Sequence, residues 1–199
     1  RKHRPTKPLA ILYPSLALLE QHTTLSTAEK YWLKHPSAPI VLLPISPGLQ
    51  QQLRDDRQLI PWMLEEVLRL EGSTKATHRV ARRDTQIGGV KVPAGKAVIV
   101  ALAAGNRDPR RWGDDANEFR LKRPGIREHI AFSRGAHTCA GAPLARAEVS
   151  AILNCFFDLT TDIAISAAAH GERGARHSRF EPSFIIRGLD NLHLELQGC

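Results

Sequence analysis

The sequence is poor in the residues that cross-link small or secreted proteins. Its 199 residues include three cysteines, Cys139, Cys155 and Cys199, with no C-x-x-C pair among them. An odd number of widely spaced cysteines disfavours both a disulfide framework and a structural zinc site. We therefore expect a reducing, cytoplasmic environment. Cys155 is expected to fill a small apolar space inside a helix.

Long apolar stretches are lacking as well. No segment approaches the ~20 apolar residues that a membrane-spanning helix requires. The stretch from Leu9 to Leu19 follows a basic start, but Pro14 interrupts it and no small-residue cleavage site follows closely. We expect neither export nor association with a membrane.

Acidic and aromatic residues are also scarce. Asp and Glu number 20 against 28 Lys and Arg, which leaves a formal net charge of +8 at pH 7. Such a charge suits an acidic partner. The basic residues are scattered with little aromatic interleaving, so we expect no binding to nucleic acid. Binding that fell steeply with salt would favour that alternative.

Hydrophobic periodicity predicts helices separated by short strands. Residues 1–36 favour a helix loosely, and the apolar residues between Gln58 and Glu71 repeat at helical spacing before Gly72. A longer helix is predicted from Ala142 to Phe157. Its expected buried stripe consists of Ala145, Val149, Ile152 and Phe156.

The remaining segments predict strands and an irregular connection. Residues 104–128 are rich in Gly, Pro, Asp and Arg and indicate an ordered meander. A chain of this length can form one domain with a sizeable core. The fold class is mainly α with small β-sheets, an α+β arrangement. Turns are predicted at Gly88-Gly89 and Pro93-Ala94-Gly95. The predicted strand-like stretches are His78 to Arg83, Ile87 to Val90 around the first turn, Ala97 to Leu102, Ile163 to Ile165, Phe184 to Ile186 and Leu192 to Leu196.

The segment from Phe132 to Gly141 places a cysteine in a glycine-flanked loop directly before a predicted helix. A helix N-terminus favours a neighbouring thiolate. Glycines let the backbone approach a flat ligand closely. The loop thus presents Cys139 as a sulfur ligand to a planar, metal-containing group.

This loop resembles the cysteine-ligand loop of the cytochrome P450 family, F-x-x-G-x-H-x-C-x-G. The sequence matches at Phe132, Gly135, His137, Cys139 and Gly141, and an A-P-L-A-R run follows. The resemblance implies haem b as the cofactor, with Cys139 as the ligand of the iron. It also implies that residues 51–199 form the C-terminal, haem-thiolate part of the P450 fold, after a poorly matched segment at 1–50.

The resemblance implies further roles around the haem. His137 and Arg79 match the cations that hold its propionates, and Phe132 is expected to cover the sulfur side of the ring. For Arg79, a plain surface cation on a strand is the alternative. Arg134 and Arg146 are expected to form a basic surface for a ferredoxin, with a plain helix-surface cation as the alternative for Arg146.

An ionic cluster is implied by a second motif, E-x-x-R. Glu66 and Arg69 lie three residues apart and share a helix face. The family pattern adds Arg123 as a third member and buries all three. A surface pair worth about 0.5 kcal/mol is the alternative. Glu65 lies four residues before Arg69 and could compete for it, but it is not assigned to the buried cluster.

The oxygen-activating motif departs from the family pattern. Thr23 and Thr24 resemble its alcohol, but His22 stands where the family has an acid. An ordinary helix N-cap or a position on a solvated helix face is at least an equal alternative for both threonines. They are the candidate catalytic residues.

The function implied is that of a haem-thiolate monooxygenase. The intact enzyme would hydroxylate a small hydrophobic substrate with O₂, using electrons from NAD(P)H through a reductase and a ferredoxin. The alternative is a non-catalytic haem-binding or structural remnant of such an enzyme.

Overall fold

Helices and three two-stranded antiparallel sheets make up the part of the chain described by the computed structural model, residues 47–172 and 175–199. Thr23, Thr24 and the helix predicted within 1–36 lie outside these residues. The helices are α1 (Pro47–Asp55), α2 (Ile60–Glu71), α3 (Leu102–Gly105), α4 (Pro109–Trp112), α5 (Ala142–Leu159) and α6 (Ala167–His170). The strands are β1 (Thr77–Val80), β2 (Thr85–Ile87), β3 (Val90–Val92), β4 (Ala97–Val100), β5 (Thr160–Ile165) and β6 (Leu194–Gly198). Short 3₁₀ helices occur at Arg57–Leu59, Ile126–Glu128 and Gly135–His137.

The predicted helix before Gly72 is confirmed as α2. Proline in its first turn costs no hydrogen bond, because the first N–H groups of a helix lack partners inside it. The apolar side of α2 packs against α1 and α5 to form the main core. The buried members of this core are Leu53, Ile60, Met63, Val67, Leu153 and Phe157.

Helix α5 is also confirmed, but its buried face differs from the predicted stripe. Leu153 and Phe157 are buried, whereas the four residues of the predicted stripe are only half-buried. Cys155 is exposed, so its predicted role as a buried filler is wrong. It lies two residues from both Leu153 and Phe157, a spacing that turns it away from their face.

Each of the three sheets consists of one antiparallel pair of strands. Strand β1 pairs with β4, β2 pairs with β3 across the Gly88-Gly89 turn, and β5 pairs with β6. The strand predicted at Phe184 to Ile186 is instead a single bridge between Ile186 and Thr74. That bridge brings the tail of the chain beside the segment that follows α2.

The predicted meander is irregular but well packed. A second, smaller core forms there from Trp112, Ala116 and Ile126. Helix α1 crosses position 50, where we placed the boundary between the two segments. In residues 47–172 and 175–199, no helix combines the length and the apolarity that crossing a bilayer demands.

Candidate functional site

The cysteine loop connects the end of the meander to helix α5. The Cys139 amide donates a hydrogen bond to the Phe132 carbonyl (2.9 Å), which closes the loop on itself. Gly135 has a φ of +78°, in the left-handed region that side chains other than glycine rarely occupy. Cys139 is exposed and lies three residues before the first residue of α5, Ala142.

Cys139 forms part of the wall of a cavity of about 280 Å³. The end of α2, the first residue of β1, the start of α3 and the cysteine loop surround it. Thr77 Oγ1 is buried there and has no hydrogen-bond partner among the described residues. The lining residues are Leu68, Gly72, Ser73, Thr74, Thr77, Leu102, Ala131, Phe132, Ser133, His137 and Cys139.

Two of the other residues predicted to contact a cofactor line this cavity, whereas Arg79 does not. Phe132 and His137 lie in its wall, beside Cys139. Arg79 lies on β1, and its Nη1 donates a hydrogen bond to the His78 carbonyl (2.8 Å). Because side chains alternate along a strand, Arg79 shares a face with Thr77, which does line the cavity.

The structure brings Glu66, Arg69 and Arg123 together in a buried cluster. Arg69 donates two hydrogen bonds to the Glu66 carboxylate, from Nε (2.8 Å) and Nη2 (2.8 Å). Arg123 Nε donates to Glu66 Oε1 (2.9 Å). Glu66 is 0% exposed and Arg69 1%, so the surface-pair alternative does not describe them.

A fourth member, Asp115, balances the charge of this cluster. Its carboxylate accepts a hydrogen bond from Arg123 Nη1 (2.8 Å), so two carboxylates face the two buried guanidinium groups, those of Arg69 and Arg123. Burial alone would raise the pKa of Glu66, but hydrogen bonds from Arg69 and Arg123 outweigh it and lower the pKa. Asp115 belongs to the meander, where no periodic signal identifies it in the sequence.

A second buried cluster surrounds Glu65, which by its sequence position could compete for Arg69 and is not predicted to be part of the buried cluster of Glu66. Glu65 is 4% exposed and binds His129 and Arg146 instead. Burial alone would raise its pKa, but hydrogen bonds from Arg146 and His129 outweigh it and lower the pKa to about 2. The guanidinium of Arg146 binds Glu65 and is 35% exposed, so the alternative of a plain helix-surface cation does not describe it, and its part in a basic surface for a ferredoxin stays a prediction.

The family model described as Cytochrome P450 matches residues 44–158, more than half of the chain. The chain belongs to the cytochrome P450 family. "Putative cytochrome P450 140" of Mycobacterium tuberculosis is 41% identical over 144 residues, which are 72% of this chain and 31% of that protein. The 6-deoxyerythronolide B hydroxylase of Saccharopolyspora erythraea is 32% identical over 79% of this chain and 37% of its own length.

Solved P450 structures also resemble the chain. The substrate-free structure of CYP150A6 from Mycobacterium marinum has a TM-score of 0.77 and 42% sequence identity. The match covers 85% of this chain and 42% of that protein. This P450 chain therefore spans about a third of the length of its curated relatives, and less than half of a solved one.

Members of the P450 family bind haem b, and the residues around the cavity fit that group. Leu68, Leu102, Ala131 and Phe132 supply apolar wall for a flat ring. Cys139 supplies a thiol at the same wall, and the thiolate is the ligand that P450 iron takes. At the polar positions, His137 and the unpartnered Thr77 hydroxyl supply groups that can bind peripheral carboxylates.

Proposed function

We propose that this chain is the haem-ligand part of a haem-thiolate monooxygenase, with Cys139 as the thiolate. The observation that carries the proposal is the position of Cys139, in a closed loop before α5 and in the wall of a cavity lined by both apolar and polar residues. The N-terminus of α5 favours the negative charge that a ligating sulfur carries. When bound, haem supplies the one-electron and oxygen chemistry that inserts an oxygen atom into a substrate.

The chain's own residues bind and orient the cofactor in this proposal. Phe132 and Ala131, which line the cavity, would hold the ring, and the backbone of the loop would hold the sulfur in place. His137 and Arg79 would bind the propionates, for which charged and hydrogen-bonding donors are required. Glu66, Arg69 and Arg123 form the buried support for the segment from which the loop starts.

The proposal also includes a side of the cavity for the substrate, a source of electrons and a cellular location. Ser73 and Thr74 lie in the cavity wall beside the bridge to Ile186, so this side is the one that a small hydrophobic substrate would meet. Electrons would come from NAD(P)H through a reductase and a ferredoxin. A cytoplasmic location is supported by the three free cysteines of the chain, which suit a reducing compartment.

The test is the ferrous carbon monoxide spectrum of the full chain after incubation with haemin. We expect the red-shifted Soret band that is peculiar to thiolate ligation, and we expect Cys139→Ser to abolish it. Cys155→Ser is the matched control, since Cys155 is an exposed cysteine on α5 outside the cavity wall. A normal band in Cys139→Ser would overturn the assignment.

A second measurement separates the monooxygenase from a haem-binding remnant. Both give the thiolate band, but only the monooxygenase forms hydroxylated product from a small hydrophobic substrate with ferredoxin, reductase and NAD(P)H. Product would rule out the remnant, whereas the band without any product would leave the haem site in place and decide only that this chain, about a third of the length of its curated relatives, does not hydroxylate alone.

A further inference from the structure

One carboxylate, that of Glu65, binds residues on both sides of the cysteine loop. The loop occupies residues 130–141, directly after His129 and directly before α5. His129 Nε2 lies 2.8 Å from Glu65 Oε2. Arg146, in the second turn of α5, donates from Nε to Glu65 Oε1 (2.5 Å) and from Nη2 to Oε2 (2.9 Å). The two ends of the loop are thereby joined through a side chain of α2.

The hydrogen bonds of His129 assign its protonation. The Ala131 amide donates to His129 Nδ1 (3.2 Å), so Nδ1 carries a lone pair and the ring proton sits on Nε2. That proton is then donated to Glu65. A neutral imidazole, a carboxylate and a guanidinium balance in charge, which suits a site where His129 is 5% exposed and Glu65 is 4% exposed.

Arg146 continues the connection toward the cysteine. Its guanidinium carbon lies 4.7 Å from the centre of the Phe132 ring, a cation–π contact. The Phe132 carbonyl accepts the hydrogen bond of the Cys139 amide (2.9 Å). An unbroken series of contacts thus runs from Glu65 through Arg146 and Phe132 to Cys139.

We propose that Glu65 is a positioning residue that clamps both ends of the cysteine loop and so sets the place of the Cys139 sulfur. The function of that sulfur rests on the proposed haem-thiolate role, but the clamp is a property of the chain itself. Glu65 acts only through His129 and Arg146. Its role differs from that of Glu66, whose carboxylate binds Arg123 of the meander and no residue of the cysteine loop.

The test is amide hydrogen exchange on the full chain without haem. Glu65→Gln keeps the size of the side chain but removes the charge that binds Arg146. We expect the Thr138 and Cys139 amides, which close the loop, to exchange about tenfold faster or more in this variant. Amides in β5 and β6 serve as the internal reference and should keep their rates.

Glu71→Gln is the matched control. Glu71 lies on the same helix and also binds two arginines, Arg107 (2.8 Å) and Arg187 (2.6 Å), but neither belongs to the loop. We expect this variant to leave the Thr138 and Cys139 amides unchanged. A general rise across the chain, or no rise in the loop, would overturn the clamp and leave Glu65 as an ordinary buried ion pair.

A double-mutant cycle tests whether the two ends act through the same carboxylate. His129→Gln and Arg146→Lys should each speed exchange in the loop, and neither should add to the effect of Glu65→Gln. Because Arg146 is only half-buried, we expect Arg146→Lys to fold, so loop exchange can be measured in this variant even if Glu65→Gln does not fold. Full additivity in the cycle would contradict a shared clamp.

A spectroscopic measurement links the clamp to the cysteine. In the haemin-loaded chain, Glu65→Gln should lower the fraction of carbon monoxide adduct with the thiolate Soret band, whereas Glu71→Gln should not. An unchanged fraction would overturn the link to the sulfur. If the wild-type chain showed no such band, the proposed function would fail, while the exchange experiment would still decide the clamp.

Discussion

Glu65 and Glu66 are neighbours in the sequence but bind different parts of the molecule. Successive residues of an α-helix point about 100° apart, so the two carboxylates leave α2 in different directions. Glu66 binds Arg69 and Arg123 on the side of the meander, and Glu65 binds His129 and Arg146 at the cysteine loop. A single helix thereby connects both irregular segments that precede α5.

Glu66 should contribute far more to stability than an exposed glutamate paired with arginine. In Glu66→Gln, Arg69 and Arg123 lose the charge that balances them in a buried site, and we expect a loss of about 3–5 kcal/mol in the free energy of unfolding. The measurement is urea unfolding near neutral pH. Glu128→Gln is the control, because Glu128 pairs with Arg111 at the surface, with side chains 56% and 50% exposed.

The control variant should lose no more than about 1 kcal/mol, since solvent screens an exposed ion pair. Similar losses in the two variants would contradict the buried role of the Glu66 cluster.

Elements with a strong local signal could be predicted from the sequence, and long-range contacts could not. The apolar period of α2 and α5 and the Gly88-Gly89 turn are local signals, and the structure has all three. Cys155 was misplaced because its burial depends on which face of α5 meets α2. His129 and Arg146 were not found as partners of Glu65, because 64 and 81 residues separate them from it in the chain.

The contact between the end of α2 and the cysteine loop gives a prediction at the scale of elements. A Cβ on Gly72 would lie 2.8 Å from the Leu68 carbonyl oxygen and 3.2 Å from the Ala131 Cβ. The backbone of Gly72 (φ −51°, ψ 132°) is open to alanine, so crowding alone sets the cost. We expect Gly72→Ala to lower the free energy of unfolding by about 1–3 kcal/mol.

Gly48→Ala is the control for this substitution. Gly48 lies in α1, and a Cβ there would meet nothing within 4 Å. Because alanine favours helix over glycine, this variant should match the wild type or gain up to about 1 kcal/mol in urea unfolding. An equal response of both variants would show that neither the Leu68 carbonyl nor the Ala131 side chain crowds position 72.

The response of the whole molecule to acid follows from its two buried carboxylate clusters and its excess of basic residues. Glu65 has a folded-state pKa of about 2 against an ordinary value of 4.5, and the pKa of Glu66 is lowered as well. A lowered folded-state pKa means that the charged form stabilises the fold above the unfolded-state pKa. That contribution is lost as the pH falls through the folded-state pKa. Protonation of other carboxylates at the same time increases the net positive charge, whose self-repulsion opposes the compact state.

The free energy of unfolding should therefore fall between about pH 5 and about pH 2, and part of this fall should belong to Glu65. The difference in pKa corresponds to about 3 kcal/mol near neutral pH, of which about 2 kcal/mol is lost by about pH 3. Glu65→Gln carries no titrating carboxyl at this position. The difference in the free energy of unfolding between the wild type and this variant should therefore shrink by about 2 kcal/mol between neutral pH and about pH 3. Urea unfolding of both proteins at a series of pH values measures this difference. A difference that stays constant with pH would mean that Glu65 titrates alike in the folded and unfolded chains, and that the partners it shares with the cysteine loop do not stabilise its charge.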